Sequence, residues 1–217
     1  MARLLVTGGS GFIGRAVCSL AVDRGHEAVS VSRSGAPETG SDDVEWIAAD
    51  VFEPAEWRGA LDGVDAVVHS IGTAEENEGD GITFERLNGD SAILVGEEAA
   101  RAGVPAMVFV SASVKPPGVD ESYLAAKRRA ERALAGLPLR SVVLRPGPVH
   151  GADQPHFPEA VDTVFRALDS LPGAAALGDA RPLSVETVAR AALDAALDPD
   201  RAGVIDVETM ATRYDVD

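Results

Sequence analysis

Cysteine is almost missing from this chain: Cys18 is the single one in 217 residues. One thiol cannot close an internal disulfide, and the composition suits a reducing cytoplasm, which is the location expected. No run of about 18 apolar residues occurs, so no transmembrane helix is expected. Met1-Ala2-Arg3 passes straight into Leu4-Leu5-Val6 with no longer apolar stretch and cleavage site, so no secretory signal is expected. Lysine is nearly as scarce, with only Lys115 and Lys127 among 19 basic residues. Against these stand 35 acidic residues, for a formal net charge of -16. An excess that large repels polyanions and excludes nucleic acid as a partner. A salt-loving source and an ordinary acidic protein from a GC-rich genome both fit the bias; the first predicts stability that rises in molar salt. No spacing of His, Cys, Asp or Glu suggests a metal site.

What is present is ordinary globular material, 46% hydrophobic and 25% charged. Short apolar runs alternate with longer segments of helical periodicity, the pattern of an α/β fold with a doubly wound parallel sheet. Strands are expected near Leu4–Thr7, Ala28–Ser32, Val44–Ala48, Ala66–Ser70, Ala106–Ser111, Ser141–Leu144 and Gly203–Val207. Helices are expected at Phe12–Arg24, Ala55–Leu61, Thr83–Ala102, Ser122–Ala135, Pro158–Leu171 and Val185–Leu197. Gly25 and Gly103 read as helix C-caps. Ser34–Asp43 and Thr73–Gly81 read as surface loops after strand ends, where such folds place ligands. Composition shifts near Gly151. Residues 1–150 are therefore read as a dinucleotide-binding Rossmann domain and 151–217 as a small substrate lobe, packed on the main sheet with its final elements.

The most informative stretch runs from the first strand into Gly8-Gly9-Ser10-Gly11-Phe12-Ile13-Gly14 and a helix start. Gly8 can make a sharp turn, Gly11 lets backbone approach a pyrophosphate, and Gly14 lets the helix pack closely on the strand. Free amides at the helix N-terminus then face the anion. About 20 residues on, dinucleotide domains often carry an acid that bonds the ribose 2′-hydroxyl. Here the stretch is Ser32-Arg33-Ser34, with no acid. An arginine flanked by hydroxyls suits a 2′-phosphate, so NADP (as NADPH) is expected rather than NAD. The alternative is that Arg33 is a solvated loop residue.

Further motifs follow in order. Asp50-Val51 comes after the third strand, His69-Ser70-Ile71-Gly72 after the fourth, and Asn88 in the next helix. Ser111-Ala112-Ser113 ends the fifth strand, Tyr123-Leu124-Ala125-Ala126-Lys127 follows, and Leu144-Arg145-Pro146-Gly147 ends the sixth. With the glycine turn and Arg181-Pro182-Leu183-Ser184-Val185, this order resembles the short-chain dehydrogenase/reductase superfamily in its extended and atypical, epimerase-like branch. Within it the chain looks closest to the subgroup of the 39 kDa accessory subunit of complex I and a coenzyme Q-linked relative. The resemblance implies that Asp50 bonds the adenine amino group, that Val51 bonds its ring edge through backbone, and that Gly72 lines the phosphates or ribose. It also implies Tyr123 as general acid/base, Lys127 as its partner and a cofactor contact, and Ser113 as the hydroxyl that polarises a carbonyl. Two departures concern the substrate side: His150 stands where the family has tyrosine, and Lys115-Pro116-Pro117 makes a short loop after Ser113.

Physical chemistry bears on these roles. A free tyrosine titrates near 10, too high for a base at neutral pH. A lysine four residues on shares its helix face and lowers that value by its charge. Ser111 and Ser113 would point the same way from a strand, and position favours Ser113. His69 reads as structural, His26 as a surface residue, Cys18 as a small buried apolar residue. His150 and His156 could line a cleft or simply be solvated. Three functions stay open. The first is an NADP-dependent reductase or epimerase acting on a small or lipid-like carbonyl compound. The second is a non-catalytic NADPH-binding subunit of a redox assembly. The third is a nucleotide-sugar epimerase, disfavoured by the short C-terminal portion. Partners expected are a small-molecule substrate and either a second copy of the chain or a redox complex.

Overall fold

A computed structural model describes residues 1–152, 159–171 and 173–215. Among them the strands are β1 (Arg3–Thr7), β2 (Glu27–Ser32), β3 (Val44–Ala48), β4 (Ala66–His69), β5 (Ala106–Val110), β6 (Arg140–Leu144), β7 (Val149–His150), β8 (Leu183–Ser184) and β9 (Gly203–Ile205). The helices are α1 (Phe12–Asp23), α2 (Ser91–Arg101), α3 (Ser122–Leu134), α4 (Glu159–Asp169), α5 (Val185–Leu197) and α6 (Val207–Arg213). Seven strands join in the order β3-β2-β1-β4-β5-β6-β9, and every pairing is parallel. β7 and β8 form a separate parallel pair.

Because β1 is buried on both faces, its side chains divide between two cores by the two-residue period of a strand. Leu4 and Val6 enter a core with Val17, Cys18 and Ala21 of α1 and Val188, Ala192 and Leu193 of α5. Leu5 points the other way, into a core with Val95 and Ala99 of α2 and Ala130 and Leu134 of α3. Helices thus cover both faces of the sheet, a Rossmann-type doubly wound α/β architecture. Strand order runs outward one way from β1 through β2 to β3 and the other way from β4 onwards, so a crevice opens at the carboxyl ends of β1 and β4. The segment after Gly151 contributes β9 to the sheet edge and α5 to the layer beside α1. α4 instead lies by β7 and β8, outside the seven-stranded sheet.

Three local differences from the sequence reading have clear causes. The stretch expected as a helix at Ala55–Leu61 is two 3-10 turns, Pro54–Glu56 and Arg58–Leu61, interrupted at Trp57 with φ of -133°. Trp57 is fully buried there, and its indole N–H donates to the Val51 carbonyl. Ahead of α2 lies a π-helical turn, Glu85–Asp90, which faces Asn88 into the interior. The run expected as a strand through Val207 stops at Ile205 because the Asp206 carboxylate accepts from the Thr209 amide and caps α6.

Candidate functional site

A cavity of about 350 Å³ opens at the crevice, lined by Gly8, Ser10 and Gly11 of the glycine turn. Its other walls include Ser32, Arg33 and Ser34 after β2, Asp50 and Val51 after β3, and Ile71 and Gly72 after β4. The turn is built by sterics. Gly8 has φ of 81°, a left-handed conformation that favours glycine. A Cβ on Gly14 would lie 2.3 Å from the Gly8 carbonyl oxygen and 2.6 Å from Ser70 Oγ, so α1 approaches the turn only because that side chain is absent. Gly9 packs equally tightly, since a Cβ there would meet Ser30 Oγ at 2.3 Å.

Gly11 is the N-cap of α1 and offers no side chain to cap it, and the first turn carries no acid. The first helical amide bonded inside the chain is that of Arg15, to the Gly11 carbonyl. Among the described residues, no acceptor takes the amides of Phe12, Ile13 and Gly14. Unspent amides at a positive helix end form an anion site. Beside it, Arg33 and Ser34 are exposed, with Ser34 Oγ donating to Ser10 Oγ at 2.9 Å. Asp50 accepts the Phe52 amide through one carboxylate oxygen, at 3.0 Å.

On the far side of Gly72 stands the ammonium of Lys127. The Lys127 side chain is buried, and Nζ would lie 3.4 Å from a Cβ on Gly72. It donates to the Val110 carbonyl at 3.3 Å, and it lies 5.4 Å from the Phe109 ring centroid and 5.6 Å from that of Tyr123. Burial, opposed by the Glu131 carboxylate and aided by Arg128, brings its pKa down to about 8. Tyr123 lies one turn earlier on α3 and packs edge-on against Phe84, with ring centroids 5.6 Å apart. Burial pushes its phenol up to about 12, against the lowering effect of Arg128, so the drop towards neutral pH expected from the Lys127 charge is not met: loss of solvent outweighs it.

The two serines are separated by their partners. Ser111 Oγ donates to Glu131, whose carboxylate also binds Arg128 and Arg145. Burial would raise Glu131, but the hydrogen bonds from Arg145 and Ser111 and the two guanidinium charges hold it below the usual carboxylate range. Ser113 Oγ has two backbone acceptors in reach, Pro146 at 2.9 Å and Asp179 at 2.6 Å. Neither hydroxyl is bonded to Tyr123, whose own hydroxyl has no hydrogen-bond partner among the described residues.

Asn88 was visible as a motif, but its work needs the fold. Fully buried, it accepts the Thr73 amide at 2.7 Å and donates to the Thr73 carbonyl at 2.9 Å, pinning the chain just past Gly72. His69 is also fully buried. Ser91 Oγ donates to the Leu87 carbonyl, so it must accept from His69 Nε2–H, leaving Nδ1 to accept from Thr7 Oγ1 at 2.7 Å. That neutral, fully satisfied ring has its pKa brought down to about 3 by burial and the Lys127 charge. His150 is paired with Asp169 at 3.0 Å, and Asp169 also binds Arg181. His156 lies outside the described residues. Among those residues no cluster could hold a metal ion, and no helix is long and apolar enough to cross a membrane.

A sequence profile described as NAD(P)H-binding matches residues 8–199. The chain belongs to this NAD(P)H-binding family. A chloroplastic protein of Arabidopsis thaliana is 34% identical, over 95% of this chain and 75% of its own. MIOREX complex component 2 of Saccharomyces cerevisiae is 30% identical over 67% of this chain and 72% of its own. Among solved structures, UDP-glucose 4-epimerase of Thermus thermophilus in complex with NAD superposes with a TM-score of 0.70 at 26% identity. That match covers 94% of this chain and 77% of the epimerase. These likenesses agree with the atypical, epimerase-like branch of the short-chain dehydrogenase/reductases to which the ordered motifs pointed.

The residues present fit the family's dinucleotide. Three unspent amides, a turn that a Cβ would fill, and a cleft bounded by the Arg33 loop and Asp50 match the pyrophosphate, the adenosine and their polar edges.

Proposed function

We propose that this protein is an NADPH-preferring oxidoreductase acting on a small or lipid-like carbonyl compound. The observation that carries the reading is the buried Lys127 ammonium, set between the cleft wall at Gly72 and the ring of Tyr123, with the Val110 carbonyl as its acceptor. In this reading the amides of Phe12 to Gly14 hold the pyrophosphate, and Arg33 with Ser32 and Ser34 holds the 2′-phosphate. Asp50 and Val51 hold the adenine, and Lys127 the nicotinamide ribose. Bound dihydronicotinamide would supply a hydride. Tyr123 keeps its proton at neutral pH, its pKa being about 12, so its hydroxyl is set to donate to a carbonyl oxygen. The positive charge of Lys127 stabilises the phenolate that results. Ser113 would polarise the same oxygen once its hydroxyl turns from the Pro146 and Asp179 carbonyls.

That last requirement supports a second reading, a non-catalytic NADPH-binding subunit. The Ser113 hydroxyl is committed to backbone, and the name of the yeast relative places that protein in a complex. One experiment separates the two: purified protein is mixed with NADPH and a panel of quinones, aldehydes and sugar nucleotides. Oxidation of NADPH that disappears in Tyr123→Phe is the expected result. Turnover unchanged in that variant removes Tyr123 from the mechanism, and binding without turnover supports the subunit reading. Interconversion of a sugar nucleotide with its epimer, without net oxidation of NADPH, would favour the epimerase alternative, to which the Thermus structure lends support. Dissociation constants for NADPH and NADH test the cofactor preference, and tighter NADH binding overturns it.

A further inference from the structure

A second arginine shares the cleft with Arg33. Arg86 comes from the π-helical turn ahead of α2 and lines the same cavity as Arg33, Ser34 and Asp50. Its guanidinium carbon stands 3.9 Å over the centroid of Phe52, the residue after the Asp50-Val51 pair. The contact is a cation–π interaction, which holds the guanidinium against the ring face. Its five N–H donors meet no hydrogen-bond acceptor among the described residues. Among the described residues no carboxylate pairs with Arg86, although the chain carries 35 acids and Asp80 lines the same cavity. The result is an oriented, unspent cation at the adenosine end of the cleft.

We propose that Arg86 is a specificity-determining residue that, with Arg33, grips the 2′-phosphate of the cofactor. The inference rests on the NADPH reading above and adds a residue that no motif named. Two arginines from separate elements, the tip of β2 and the turn before α2, would close on one dianion. Phe52 serves as the platform that holds Arg86 in place without consuming its charge. The pyrophosphate is already served by the amides of Phe12 to Gly14, which leaves the 2′-phosphate as the anion for this end.

Arg86→Leu tests the idea, because leucine keeps an apolar contact with Phe52 and removes the charge and donors. Arg86 is exposed, so the fold should survive the change, and a circular dichroism melt confirms it. Binding of NADPH, NADH, adenosine 2′,5′-bisphosphate and AMP is measured by calorimetry on the full chain. We expect NADPH and the bisphosphate to weaken by roughly 10-fold or more, with NADH and AMP changed by less than about 3-fold. Arg86→Lys should fall between, retaining charge without the fork. Equal losses for all four ligands would overturn the proposal, because Arg86 would then contribute only to adenosine packing. No loss for any ligand would overturn it too. Failure of the wild-type chain to bind either nucleotide would instead reject the cofactor reading, a separate outcome.

Discussion

Replacing Lys127 by methionine should stabilise this protein at neutral pH while removing its chemistry. Folding takes the ammonium out of water, and the pKa falls from 10.5 to about 8, equivalent to about 3 kcal/mol against the charged form. Methionine has similar reach and no charge to desolvate. It forfeits the hydrogen bond to Val110 and the contacts with the Phe109 and Tyr123 rings, about 1–2 kcal/mol together. The balance is a gain of about 1–2 kcal/mol, a rise in Tm of roughly 2–8 °C for a chain of this size. The gain should depend on pH in a defined direction. Below about pH 8 both folded and unfolded chains hold the proton, so the wild-type deficit is complete. Between about 8 and 10.5 the unfolded chain keeps a proton that the folded chain releases. Wild-type stability therefore rises relative to the variant, and the gap closes. Urea unfolding of both proteins at pH 7 and pH 9.5, without nucleotide, measures the effect. A variant less stable than wild type at pH 7, or a gap of equal size at both pH values, would refute the reasoning.

Other expectations follow from the same contacts. Gly14→Ala drives a Cβ to within 2.3 Å of the Gly8 carbonyl oxygen; we expect a loss of about 1–3 kcal/mol in urea unfolding and NADPH binding weakened by at least ~10-fold. Gly25→Ala is the control, because a Cβ there meets open space and only the positive φ is strained; it should cost about 1 kcal/mol and leave affinity unchanged. His69 should contribute to acid unfolding. Its folded pKa of about 3 lies below the ordinary 6.5, so the unfolded chain takes up that proton first and stability falls as pH drops from about 6.5 towards 3. His69→Gln should flatten the decline in urea midpoint between pH 6.5 and 4.5, and an unchanged decline would remove His69 from that account.

The strands were legible because parallel strands buried on both faces appear as short apolar runs, and Leu4-Leu5-Val6 is such a run in the sequence and in the sheet. The glycine turn was legible for a different reason: the need for a left-handed residue and a missing side chain constrains residue type directly. Helix identity failed where tertiary contacts outweighed local pattern. Trp57 interrupts its segment to bury its ring and reach Val51, and Asn88 sits in a π turn that directs it to Thr73. The α6 cap could have been noticed, since Asp206 directly before the apolar Val207, with Glu208 in the first turn, is a helix-start pattern.

Residue order alone determined the parallel α/β architecture, the position of the phosphate turn, and the one-turn spacing of Tyr123 and Lys127, because each is a matter of local sterics or period. The tertiary structure decided what those groups experience. Only packing shows that Lys127 loses its solvent, that Ser111 is bound into the Glu131 network while Ser113 faces backbone carbonyls, and that Arg86 stacks on Phe52 beside the cleft. Desolvation and through-space charge depend on neighbours distant in the chain, and a one-dimensional pattern carries no record of them.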